Sequence, residues 1–104
     1  MVLNEKNRTK LNELVQMLRN GVITKQDVIT SFGVDERTAR DMLSEIAKRC
    51  PLVSMSDKKG YRIATSTDDM DDAMHAFNEN KKRAAEILKR NKPLEKFIQQ
   101  HEGA

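Results

Sequence analysis

The chain has 104 residues, enough for one small domain with an appendage. Charged residues make up 34% yet nearly cancel, 19 Lys+Arg against 16 Asp+Glu for a net charge of +3, and aromatics are only 4%. No apolar run approaches the roughly 20 residues of a membrane-spanning helix, MVLNEKNRTK lacks the apolar core of a signal peptide, and a single Cys50 forms no intramolecular disulfide. A membrane protein, a disulfide-stapled secreted scaffold and a large-cleft enzyme are thereby disfavoured. A small binding module of a reducing cytoplasm is expected.

The charge is unevenly placed. Residues 1–64 hold twelve Lys/Arg against eight Asp/Glu, and residues 65–104 hold seven against eight. The second part is split internally. Asp68, Asp69, Asp71 and Asp72 come first, then Lys81, Lys82, Arg83, Lys89 and Arg90, an order that complements the dipole of one long helix. The expected division is 1–65 and 66–104.

Leu11, Leu14, Val15 and Leu18 mark one face of a helix over residues 4–19. Asn20-Gly21 closes it, both residues accepting a left-handed cap. Thr24 and Asp27 form a capping-box pattern, with Ile23 and Val28 at the staple positions, for a short helix over Lys25–Ser31. Phe32-Gly33-Val34 makes a tight turn. Asp35 caps a third helix reaching about Arg49, with Ala39, Met42, Leu43 and Ile46 inward and Pro51 as its stop. The period then changes to two. Val53 and Met55 alternate with Ser54 and Ser56, Tyr61 and Ile63 flank Arg62, and Asp57-Lys58-Lys59-Gly60 lies between, the pattern of a β-hairpin with a basic tip. A long helix follows from about Asp69 to Asn91. Pro93 starts or kinks a last short helix carrying Leu94, Phe97 and Ile98.

The run ITKQDVITSFGVDERTARDMLSEIAKRCPLVSMSDKKGYRI, with Gly33-Val34-Asp35 before Glu36-Arg37-Thr38-Ala39-Arg40 and a hairpin closing on Gly60-Tyr61-Arg62-Ile63, resembles the winged helix-turn-helix domains of the DeoR and biotin-operon-repressor type. The resemblance covers about the first 64 residues. It implies a mainly α (α+β) fold of three helices and a two-stranded wing, here followed by a long C-terminal helix in place of an effector-binding or enzymatic domain. A wing followed by one long helix is also similar to small proteins of bacteriophage and prophage early regions, so a bacterial or phage-infected cytoplasm is the expected setting.

In this frame the helix over residues 35–49 enters the major groove of double-stranded DNA, and the wing over 53–63 meets the backbone or minor groove. Arg37, Thr38, Arg40 and Asp41 face away from the apolar side. Arg can pair bidentately with guanine, and Thr can meet a thymine methyl or a phosphate. Lys25, Lys58, Lys59 and Arg62 are candidate phosphate contacts, which give affinity without sequence information. The plainer alternatives are that Arg37 and Arg40 are surface residues tied to Glu36 and Asp41, and that the tip lysines are a solvated loop protecting an edge. In the C-terminal helix, Met70, Met74, Phe77, Ala84 and Leu88 repeat at four and three with Lys81 interrupting. They either pack on the chain's own domain or pair with a second chain, and the latter suits two-fold operators.

His75 and Glu79 are four apart with no further ligand near, hence a surface pair. The four aspartates lack the glycine and spacing of a calcium loop, and Cys50 is expected as a small buried residue. No cofactor, metal, small-molecule ligand or catalytic constellation is inferred. The leading expectation is a sequence-specific, dimeric DNA-binding transcriptional regulator. The alternative is a winged-helix protein-interaction adaptor, for example in phage DNA replication or assembly.

Overall fold

Leu11, Leu14 and Leu18 are spaced to share one helical face, and the computed structural model, which describes residues 5–55 and 60–102, buries all three on α1 (Glu5–Asn20). Val15 is half-buried at the edge of the same cluster. At the helix end the Gly21 N–H donates to the Met17 carbonyl at 3.1 Å. Gly21 does not adopt the expected left-handed cap, and Gly33 is the glycine with positive φ among the described residues. The chain bends at Gly21 without taking that conformation. It runs on to Ile23, whose N–H and carbonyl each bond Tyr61 at 2.8 Å.

The second helix, α2 (Lys25–Phe32), starts on the expected capping box. Thr24 Oγ1 accepts from the Asp27 N–H at 3.0 Å, and Asp27 Oδ2 accepts from the Thr24 N–H at 2.9 Å. Val28 is fully buried beside the half-buried Ile23. The helix stops at Gly33, φ 61 and ψ 39, where the Gly33 and Val34 N–H groups both return to the Ile29 carbonyl. A side chain at that φ costs roughly 1 kcal/mol or more, so glycine fits this turn. Asp35 then caps α3 (Glu36–Ala47), its Oδ1 accepting from the Thr38 N–H at 2.8 Å. Ala39, Met42, Leu43 and Ile46 form its buried face. The helix ends two residues short of Arg49, because the Arg49 and Cys50 N–H groups both turn back to the Ile46 carbonyl, at 3.0 and 2.8 Å.

The two strands, β1 (Leu52–Met55) and β2 (Gly60–Ile63), form an antiparallel pair with Leu52 opposite Ile63, Val53 opposite Arg62, Ser54 opposite Tyr61 and Met55 opposite Gly60. This register sends the apolar residues to two faces. Leu52, Tyr61 and Ile63 lie against the three-helix cluster. Val53 is also buried but lies outside that cluster, on the face it shares with Arg62. Ile23 bridges the free edge of β2, so Gly60 has no room for a side chain. A Cβ there would lie 2.5 Å from Val22 Cγ1 and 3.2 Å from the Ile23 carbonyl oxygen.

After β2, Ser66 caps a 3₁₀ turn, Thr67–Asp69, which leads into α4 (Met70–His101). The helix continues through Pro93, so of the expected start or kink the new start does not occur. Proline there removes one backbone donor, that for the Lys89 carbonyl, and the surrounding Leu, Lys, Glu, Ile and Gln residues are strong or fair helix formers. The protein is thus mainly helical with a two-stranded antiparallel sheet and a long C-terminal helix. It divides into two compact units, Met1–Ala73 and Met74–Ala104. The first contains the buried core. In the second no described residue of the helix is buried, and most are exposed.

Candidate nucleic-acid interface

One turn of helix is 3.6 residues, so the face of α3 opposite Ala39, Met42, Leu43 and Ile46 carries Arg37, Asp41 and Ser44, continued by Lys48 just past the helix end, with Arg40 on its flank. All five are exposed, while Thr38 is half-buried at the edge. Ser44 and Lys48 were missed in the sequence, although the spacing 37-41-44-48 places them in one stripe. The Arg37 side chain makes no hydrogen bond or ion pair among the described residues. Its guanidinium acts on Asp35 only through the field it adds at that carboxylate.

Arg40 and Lys25 are held differently. Lys25 Nζ lies 2.7 Å from Glu36 Oε1, and Arg40 Nη2 lies 2.9 Å from the same oxygen. The first turn of α3 and the start of α2 therefore share one carboxylate between two cations. The Lys25 hydrogen bond and charge, with the Arg40 charge, hold the Glu36 carboxyl below its ordinary value, so it stays ionised. Exposed pairs of this kind are worth about 0–1 kcal/mol. Arg40 can therefore exchange Glu36 for an outside acceptor with little loss. At the other end of α3, Lys48 lies 3.1 Å and Arg49 3.8 Å from Glu45.

Arg62 faces a different partner. Its Nη1 lies 3.1 Å from Asp69 Oδ1 and its Nη2 donates to Asp69 Oδ2 at 3.3 Å. Asp69 is 4% exposed and also accepts the Thr65 N–H at 2.9 Å. Sequence reading grouped Asp69 with its neighbours as helix-terminal charge, whereas the structure makes it a buried strut between β2 and the turn that opens α4. Lys58 and Lys59, the expected tip contacts, lie outside the described residues.

The Thr65 N–H, with help from the Arg62 guanidinium, outweighs burial and holds the Asp69 carboxyl below the usual aspartate range. A carboxyl depressed in the folded state stabilises the fold above its unfolded pKa, near 3.9, and loses that contribution as pH falls through the depressed value. Asp69→Asn keeps an acceptor for Thr65 but loses the charge. Urea unfolding is expected to show the variant less stable than wild type at neutral pH, with the difference closing as the pH is lowered below about 4. A difference independent of pH would mean that the charge contributes nothing.

Of the expected interchain residues, Met70, Met74, Phe77 and Leu88 are 52%, 55%, 63% and 66% exposed, and Ala84 is also exposed. Lys81, which interrupts their stripe, lies with Nζ 5.4 Å from the Phe77 ring centroid. Cys50 is half-buried against the core instead of fully buried. His75 is exposed and Glu79 half-buried, and no group of three or more His, Cys, Asp or Glu side chains suited to a metal ion occurs among the described residues. No described helix is long and apolar enough to cross a membrane. Among known proteins, no family model, no curated sequence and no solved structure matches this chain.

Proposed function

We propose that this chain binds double-stranded DNA in a sequence-specific manner, as a transcriptional regulator, with α3 in the major groove. The carrying observation is the division of α3 into a buried apolar face and an exposed face holding Arg37, Asp41 and Ser44, flanked by Arg40 and continued by Lys48. A helix anchored on one side and polar on the other can enter a groove as a rigid body. The order of elements supports a winged helix-turn-helix. A short helix precedes α3 across a tight glycine turn, a hairpin follows it, and Ile23 pairs with the hairpin's second strand.

The roles follow from the contacts. Arg37, unpaired among the described residues, is the base reader. Arg40 and Lys25 turn from Glu36 towards phosphate or a base edge, Thr38 and Asp41 border the contact, and Glu36 and Asp41 keep affinity moderate by repelling phosphate. Arg62 positions the hairpin through Asp69, and phosphate contact is assigned to Lys58 and Lys59 from the sequence alone. The reading assigns no catalytic step and needs no cofactor.

Titration of fluorescent duplexes at several salt concentrations tests it. Expected are a log-affinity that falls linearly with log salt and a preference among duplex sequences that persists across the series. Binding without any sequence preference, alongside a protein partner retained after nuclease treatment, would favour the adaptor reading.

A further inference from the structure

The exposed large apolar side chains among the described residues all lie on α4: Met70, Met74, Phe77, Ile87, Leu88, Leu94, Phe97 and Ile98. A helix of 32 residues with none buried has little packing of its own to hold it, and helices in proteins owe most of their stability to such packing. Because α4 runs through Pro93 without a break, its apolar residues before and after that proline belong to one pattern. Phe77, Ala84, Asn91 and Ile98 recur every seven residues, and Asn80, Ile87 and Leu94 follow at three. These are the a and d positions of a coiled coil. Met74 and Leu88 fall at the adjoining e position, so the seam is shifted from the one the N-terminal half alone suggests.

Three features identify the occupant of this seam. Pro93 falls at position c and the Lys89 carbonyl, which it leaves without a helical donor, at position f. Both are on the outer side, where water can serve that carbonyl. The polar residues in the seam, Asn80 and Asn91, meet their own equivalents only when two identical helices lie parallel and in register, and an Asn at position a specifies such a register. Finally, Arg90 at g and Glu95 five residues on at e are the positions that face each other across a parallel pair, giving two opposite-charge contacts. The antiparallel arrangement sets Arg83 against Arg90 instead.

We propose that Phe77–His101 of α4 pairs with the same segment of a second copy of this chain as a parallel, in-register, two-stranded coiled coil. The inference rests on α4 alone and stands or falls independently of DNA binding. Sedimentation of the full chain is expected to give the mass of two chains. The double change Ile87→Asp and Leu94→Asp is expected to give one chain while far-UV circular dichroism still reports the strands and helices of the first unit. Arg90→Glu is expected to raise the dimer dissociation constant about fivefold or more, and mixing it with Glu95→Arg restores tight pairing. For orientation, Asn91→Cys in a Cys50→Ser chain is expected to cross-link to itself under mild oxidation. Single-chain mass at every concentration loaded overturns the proposal, as does a two-chain mass that survives the Ile87/Leu94 change. Tighter association on Arg90→Glu, or cross-linking only between Asn80→Cys and Asn91→Cys chains, shows the antiparallel pair and overturns the orientation.

Discussion

Arg37→Ala is expected to weaken binding to a preferred duplex by about 10- to 100-fold, the equivalent of one bidentate base contact. Binding to unrelated duplex should fall far less. The side chain is exposed and unpaired among the described residues, so its removal leaves the folded protein almost unchanged, within about 0.5 kcal/mol. Loss of affinity is then readable as loss of contact. Arg40→Ala is expected to behave in the same sense with a smaller effect, because Arg40 must first leave Glu36, which keeps Lys25 as its partner. Titrations of preferred and mismatched duplexes, at one salt concentration, separate the two roles. An equal loss on both duplexes would make Arg37 a phosphate contact and remove it as the reader.

Met42→Ala is expected to destabilise the first unit by about 2–5 kcal/mol. Met42 is fully buried, on the inner face of α3 and in the cluster that joins α1, α2, α3 and β2. Truncation removes apolar contacts and leaves a cavity that rigid neighbours such as Val28 and Ala39 fill poorly. Small domains have about 5–15 kcal/mol in total, so much of the stability goes. Urea unfolding followed by circular dichroism gives the value. A loss under about 1 kcal/mol would contradict the placement of Met42 in the core.

Local chemistry was legible in the sequence. The Thr24–Asp27 capping box, the Gly33 turn, the Asp35 cap and the inner face at 39, 42, 43 and 46 each need only a few neighbouring residues, and each occurs as expected. The same periodicity exposed Arg37 and Arg40. The i,i+4 pair between Glu36 and Arg40 could be read from spacing, but not Lys25 joining it from another helix. The hairpin faces depended on register. With Met55 opposite Gly60, an odd-numbered residue of one strand faces an even-numbered one of the other, so Val53 shares a face with Arg62 and not with Ile63. That single fact is what brings Arg62 to Asp69, and nothing local to Arg62 announces it. The Ile23–Tyr61 bridge is longer in range still. Pro93 starts no new helix, although its penalty is large in general, because one lost donor is tolerable where the residue that loses it, Lys89, is exposed.

The central claim is that α3 reads duplex sequence. Selection of bound sequences from a random duplex pool by the full chain tests it most directly. The account predicts enrichment of a defined motif, with the preference relaxed at one position when the Arg37→Ala variant is used in its place. A pool that emerges as random as it entered would contradict it.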